Sequence, residues 1–236
     1  MLKSRLCIAF FAFAVGCAPA QKPLTDYVNP MLGTATLWDS VDLGFKPTKR
    51  TWGAEVFPGS SLPNAMVQVS PVTKFHSGAG YQYEDSVIYG FTHTNKGHWN
   101  LCHIPLLPVT GTPTPGDYCS PFSHERESAA PGYYQVFLDR YGVDAQLSST
   151  LRCAFHKYTY PAGAAASLLA DLQRSNEHVR AWDIRKEGDN VFAGWQQTGE
   201  KMYFYAVANR PVTGIEPVVE GDREGRIAVS YTHLTL

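Results

Sequence analysis

From Gly132 onward the chain alternates apolar and polar residues in short runs, at 133–140, 144–151, 154–160, 167–172, 178–185, 190–196 and 202–208. Each run is of strand length and is bounded by turn-forming residues, and period-two alternation places its apolar side chains on one face of an extended chain. Lys186-Glu187-Gly188-Asp189 is a polar, glycine-containing turn, so the runs on either side of it predict an antiparallel hairpin. No window of helical length outside the N-terminal segment carries an i, i+3, i+4, i+7 apolar stripe. Strand following strand with no helix between predicts a mainly antiparallel β fold, a large β-sandwich with loops gathered at one end.

Between about residues 26 and 131 the pattern is looser. Short apolar segments, 66–69 and 87–91, sit among Gly, Pro, Asn, Ser and Thr, which predicts short strands joined by long ordered loops. With no internal repeat and no low-complexity linker, residues 21–236 read as one domain. Residues 1–20 read as a leader: Lys3 and Arg5 precede an apolar run, Leu6 to Val15, too short to cross a bilayer. Ala18-Pro19-Ala20 fits ordinary signal cleavage. Ala14-Val15-Gly16-Cys17 resembles a bacterial lipobox with Cys17 acylated, although it lacks the usual Leu three residues before the cysteine. On either reading the chain is exported, and a lipid on Cys17 is its one expected membrane attachment.

Composition narrows the partners. Of 236 residues, 44% are hydrophobic, 13% aromatic and 17% charged, with a formal net charge of -1. Such a chain can bury a core, and it has no basic surplus for a phosphate backbone, so nucleic acid is not an expected partner. Past the leader, Cys102, Cys119 and Cys153 have irregular spacing and make no disulfide framework. Three separate buried thiols is the preferred expectation, over one bridge and one free thiol.

The densest chemistry lies in "GFTHTNKGHWNLCHIPLLP", residues 90–108. His93, His98 and His103 are spaced five apart, which puts neighbours on different faces of a helix or strand, so only a loop could gather them on a metal. Cys102 beside His103 suggests a thiolate pair on paper, but adjacent residues of an extended chain point apart, and there is no G-x-S-x-G elbow. The carboxylate pairs Glu84 with Asp85 and Glu125 with Glu127 sit in polar, surface-like contexts with nothing to mark them as catalytic. Trp99, between His98 and Asn100, and Trp52, in a second loop, offer flat aromatic faces beside directional polar groups. A sugar, with an apolar face and a hydroxyl rim, fits that mixture. The competing expectation is that both tryptophans are core.

Five segments carry a family resemblance: "DYVNPMLGT" at 26–34, "VFPGSSLPNAMVQVSPVT" at 56–73, "SGAGYQYEDSVIYGFTHTNKGH" at 77–98, "FSHERESAAPGYYQVFL" at 122–138 and "HKYTYP" at 156–161. Together and in this order the chain resembles the N-terminal region of glycoside hydrolase family 92, the calcium-dependent exo-acting α-mannosidases. The resemblance implies an N-terminal β-sandwich followed by an (α/α)6 barrel, the active site lying between them. It places the general acid, the general base and the calcium ligands in the barrel, and so no catalytic residue in this chain. It further implies inversion at the anomeric carbon, mannose-containing glycans as substrate, the chain's own barrel as partner, and a periplasmic or outer-membrane location in a Gram-negative bacterium.

On this resemblance the loops at 29–34, 56–59 and 91–102 form part of the pocket wall. The implied substrate-binding residues are Gly33, Thr34, Trp52, Phe57, His93, His98, Trp99, Asn100 and Cys102. Where many relatives carry a "FSHTHLSG" type run, this chain has "FTHTNKGHWN": His93 and Thr94 match, while Asn95, Lys96 and His98 depart, which puts the linkage specificity in doubt. The tail from Gly225, "GRIAVSYTHLTL", begins as a strand, and its last residues have no recognised counterpart, so a truncated end is expected. Two other readings stay open: a non-catalytic carbohydrate-binding sandwich, and a secreted metalloprotein built on the three histidines.

Overall fold

The computed structural model describes residues 22–37, 44–46, 53–96, 99–111, 118–220 and 223–231. Cys17 with the leader, Trp52, His98 and residues 232–236 lie outside them. Among the described residues the only helical elements are two 3-10 turns, Leu24–Tyr27 and His124–Arg126.

A seven-stranded sheet forms the centre. Its order is Ser60–Ser61, Gln68–Val72, Gly90–Thr92, Leu106–Thr110, Ala166–Asp171, Arg223–Tyr231 and Val212–Glu220, with every neighbouring pair antiparallel. A four-stranded sheet, ordered Ala154–Thr159, Val143–Ser149, Tyr133–Leu138, Glu127–Ala130, packs on one face. A meander of Ala181–Gly188, Val191–Gln197 and Lys201–Val207 packs on the other. The expected sandwich is present, and it has a third layer.

The strand Ala166–Asp171 shows why two covers are needed. All of its residues are buried. Leu169 joins the larger core with Tyr134, Val136, Leu138 and Leu147 of the four-stranded sheet, whereas Leu168 and Ala170 meet Phe192 and Phe204 of the meander. A strand with apolar side chains on both faces is stable only if both are removed from water. The covering strand Tyr133–Leu138 shows the one-sided case: Tyr134, Val136 and Leu138 are fully buried and the residues between them are not. Burial of each such side chain contributes about 1.5–3 kcal/mol.

The seven strands from Tyr133 to Val207 fall within three residues of their expected bounds, whereas the strand Val212–Glu220 has no counterpart among the expected runs. Around the anticipated hairpin turn the pairing runs on to Gly188 opposite Val191, with an irregularity between Lys186 and Gly188. The apolar run at 87–91 divides into two strands. Val87–Ile88 pairs with Ser120–Pro121 in a small separate sheet, and Gly90–Thr92 enters the central one. At the switch, a Cβ on Gly90 would lie 3.2 Å from the Leu106 carbonyl oxygen, a close approach that favours glycine. The strand expected near Gly225 is an interior one, Arg223–Tyr231, paired on both sides.

Two expectations need correction. The three cysteines are separate thiols, but only Cys102 is buried; Cys119 is half-buried and Cys153 exposed. Glu127 is not surface-like: its side chain has no exposed area. Its local sequence is polar, and what buries it arrives from Tyr81 and Tyr134, whose hydroxyls donate to its carboxylate at 3.0 and 2.6 Å.

Candidate functional site

The loops at 29–34 and 56–59 close on each other. The Ala54 amide donates to the Gly33 carbonyl at 3.0 Å. Gly33 has φ +89, and a Cβ there would stand 2.8 Å from that of Ala54, so both conformation and space call for glycine. The Thr34 hydroxyl donates back to the Met31 carbonyl at 2.8 Å. Gly33, Thr34 and Val56 then line a small cleft with Glu55, Gly78, Ala79 and Tyr81. Gly78 makes room for a carboxylate: a Cβ there would lie 2.7 Å from Cδ of Glu55. Phe57, next along the chain, is half-buried.

The third loop reaches the cleft through Asn100. Asn95–Lys96 pairs with Trp99–Asn100 as a small hairpin. The Asn100 backbone amide donates to the Gly78 carbonyl at 2.8 Å, its side-chain amide donates to the Ala79 carbonyl at 3.2 Å, and its Oδ1 accepts from the Cys102 amide at 2.7 Å. From the other side, the Asn176 side chain donates to the Asn100 carbonyl at 2.6 Å and accepts from the His76 amide at 2.6 Å. Asn100 and Cys102 have no exposed area, so they shape the loop from inside, while Trp99 is only half-buried. Cys102 and Ile104 both have φ +53. That conformation is strained for a β-branched residue and persists where its surroundings over-determine it. Here the Ile104 amide donates to Gln196 Oε1 at 2.9 Å, and its carbonyl accepts from His93 at 3.0 Å.

The histidines of this segment go to different places. His93 Nε2 meets His156 Nε2 at 2.9 Å, and His156 Nδ1 meets the Tyr158 hydroxyl at 2.7 Å. Because the Ile104 carbonyl can only accept, His93 Nδ1 carries the proton. In the neutral pair His156 then donates to His93 and accepts from Tyr158. Burial pushes the His93 pKa down to about 4, and burial with the neighbouring His93 holds His156 well below the usual range. His103 bonds Thr94 at 2.9 Å through Nδ1 and Thr198 at 3.1 Å through Nε2, with Glu177 Oε2 at 3.3 Å. Its pKa is lowered by burial, against the opposing pull of Glu177.

The Cys102 thiol, pushed up by burial, meets the Thr92 hydroxyl, and the nitrogens of His93 and His103 bond other groups. Among the described residues no three His, Cys, Asp or Glu side chains converge as a metal site. The carboxylate of Glu127, expected at the surface but buried, accepts from Tyr81, Tyr134 and His124, the last at 2.6 Å. The Tyr81 hydroxyl is pushed well up by burial and by Glu127, so this cleft-lining tyrosine stays protonated and anchored. "FSHERE" followed by "GYYQVFL" was the available signal, since it sets one carboxylate three residues from a histidine and seven from a strand tyrosine.

Residues 27–232 match the profile of the glycosyl hydrolase family 92 N-terminal domain. The chain belongs to this family. No curated protein matches it. Among solved structures, this family 92 N-terminal domain is similar to the GH92 α-mannosidase BT3965 from Bacteroides thetaiotaomicron, with 26% identity over 89% of this chain and a TM-score of 0.74. The same mannosidase in complex with mannoimidazole gives 26% identity over 89% of this chain, 30% of that one, and a TM-score of 0.72. The GH92 glycosyl hydrolase ccman5 gives 27% identity over 74% of this chain, 28% of that one, and a TM-score of 0.60. This family 92 chain spans 31% of the length of BT3965.

Proposed function

We propose that this chain is the N-terminal sandwich of an exported, inverting α-mannosidase acting on terminal α-mannosides of glycans, and that its loops at 29–34, 56–59 and 91–102 form part of the pocket wall. One observation carries the reading. Segments distant in sequence meet at one cleft, Gly33, Thr34 and Val56 directly and the Trp99 hairpin through the Asn100 to Ala79 bond. The mannoimidazole complex of a similar family member supports a mannose-like ligand. In this reading Trp99 offers its ring to a sugar, Gly33 and Thr34 offer backbone and hydroxyl groups, and Asn100 and Cys102 hold the loop in place. The acid, the base and the calcium ligands belong to the barrel that follows the sandwich in the family. The leader, with Cys17 as a lipid anchor, delivers the protein to the periplasm or outer membrane.

The test is the first product of the full-length enzyme. Proton NMR of an α-mannoside digest should show β-mannose forming before mutarotation, and Trp99→Ala should lower turnover by about tenfold, equivalent to ~1.4 kcal/mol of transition-state stabilisation. An α-mannose first product would overturn inversion. Normal turnover of Trp99→Ala with a lowered melting temperature would make that tryptophan a packing residue. For the anchor, Cys17→Ser should move the protein from the membrane fraction to the soluble one, and an unchanged distribution would overturn lipidation.

A further inference from the structure

An edge strand's unpaired amides and carbonyls are a template for another chain unless the sequence blunts them. With one exception, the edges of the larger sheets are blunted. Ser60–Ser61 is too short to serve as a template, and Val212–Glu220 carries Pro217 and a register shift near each end. In the four-stranded sheet, Ala154–Thr159 carries exposed Lys157, and Glu127–Ala130 turns the carboxyl of Glu127 inward. On the meander, Ala181–Gly188 carries Asp183, Arg185, Lys186 and Glu187 with an irregularity between Lys186 and Gly188. The exception is the opposite edge of the meander, Lys201–Val207, which has no proline, no register shift and no charge after Lys201. Even that charge is drawn back over its own sheet, with Nζ 3.8 Å from the centre of the Trp195 ring.

Both faces of this strand are apolar. Met202, Phe204 and Ala206 pack on the smaller core and are only half-buried, while Tyr203, Tyr205 and Val207 are 72%, 66% and 65% exposed. Apolar side chains on both faces are the composition of an interior strand. The backbone shows which groups are free. At the two ends of the pairing, the Ala208 amide donates to the Asn190 carbonyl at 2.8 Å and the Thr198 amide donates to the Glu200 carbonyl at 3.0 Å. Alternation from these bonds makes Met202, Phe204 and Ala206 the residues bonded to Val191–Gln197. Lys201, Tyr203, Tyr205 and Val207 therefore turn their amides and carbonyls outward, and among the described residues no strand meets them.

We propose that Lys201–Val207 pairs with the same strand of a second copy, antiparallel about a two-fold axis at Phe204. That register sets Tyr203 of one chain opposite Tyr205 of the other and Lys201 opposite Val207, so every outward residue meets an outward residue. A shift by one residue would set outward groups against groups already bonded, and a shift by two would leave an outward residue without a mate. No like charges face each other. Tyrosine pairs cross the new junction on one face, and on the other Phe204 meets its own copy in a non-bonded pair, where side chains approach most closely. The half-buried row of Met202, Phe204 and Ala206 gains the cover it lacks. This pairing stands on the edge itself and does not depend on the glycosidase reading.

The test uses full-length enzyme produced without residues 1–20. Sedimentation velocity over about a hundredfold concentration range should show a two-chain species for the wild type, weakened about tenfold or more in Tyr203→Lys/Tyr205→Lys, which sets lysine opposite lysine at exposed positions. A register test uses Tyr203→Cys and Tyr205→Cys chains, each with Cys153→Ser to remove the exposed native thiol. Opposed residues of a bonded pair have Cα atoms about 5.5 Å apart, within the ~4.4–6.8 Å that a disulfide spans. Mild oxidation should therefore join the mixed chains, and neither variant to itself, because like positions fall two residues out of register. A single-chain mass for the wild type at every concentration would overturn the proposal, leaving this edge to the rest of the enzyme or to another protein. A two-chain mass unchanged by the lysine pair would overturn it by placing the contact elsewhere, and equal crosslinking of mixed and unmixed chains would overturn the register.

Discussion

His93 and His103 lie ten residues apart in one segment, and the fold sends them to networks that differ in how they receive a proton. On the side of the four-stranded sheet, His93, His156 and Tyr158 form a neutral chain in which every hydrogen already has its place. A second proton on either imidazole sets N–H against N–H or against a hydroxyl that must turn round. Toward the meander, His103 has Thr94 on one nitrogen and Thr198 with Glu177 on the other. The Thr94 hydroxyl can donate or accept, and Glu177 supplies the countercharge, so a second proton breaks no bond. Burial lowers both histidines; the partner oxygens decide what happens after that.

The largest effect expected from this contrast is acid lability at the His93 pair. A histidine whose folded pKa lies below its unfolded value binds fewer protons folded than unfolded between the two. Stability from this source is therefore present above about pH 6.5 and lost as the pH falls toward 4. His93 alone accounts for about 3 kcal/mol by pH 4. Urea denaturation midpoints across this range should fall steeply for the wild type and flatten in His93→Leu/His156→Leu. An unchanged slope in the double variant would place the acid sensitivity elsewhere.

A smaller effect tests the hydroxyl end of the pair. Tyr158→Phe removes the donor to His156 Nδ1 and should cost about 1 kcal/mol, up to ~3 kcal/mol if the buried nitrogen is left without a partner. A loss below 0.5 kcal/mol by chemical denaturation, roughly the lower limit for one net hydrogen bond, would mean that this bond is not maintained in solution. The smallest effect concerns the other arm. Glu177→Gln removes the charge that draws His103 upward, so the His103 resonance should titrate at lower pH while stability near neutrality changes little. An upward move would show that Glu177 is not the group His103 feels.

Strands such as Tyr133–Leu138 and Val143–Ser149 were legible because each has one wetter and one dry face, and alternation records that directly. The run at 166–171 recorded something else: buried on both faces, it announced two covers, but no local pattern says which distant strands provide them. Val87 to Phe91 read as a single strand because apolar character continues through Gly90, while the break is set by the approach of Leu106, fifteen residues beyond Phe91. The same limit applies at the site. Gly33 and Trp99 could be singled out by residue type and neighbours, but the burial of Asn100 depends on Gly78, Ala79 and Asn176. Glu127 sat among polar neighbours, and only the arrival of Tyr81 from 46 residues away makes it an interior group.

Asn100 also divides the hairpin into positions with different freedom to change. Its amide and carbonyl bonds fix the loop's direction, and the glycines beneath it leave the room they need; a side chain on Gly80 would meet the Asn100 side-chain amide nitrogen at 2.6 Å. Lys96, by contrast, is exposed, and Trp99 is half-buried. Inheritance can therefore act on the two parts separately. Descendants of this sequence could try new side chains at 96 at little cost in folding, as long as Asn100 and Gly80 stay as they are.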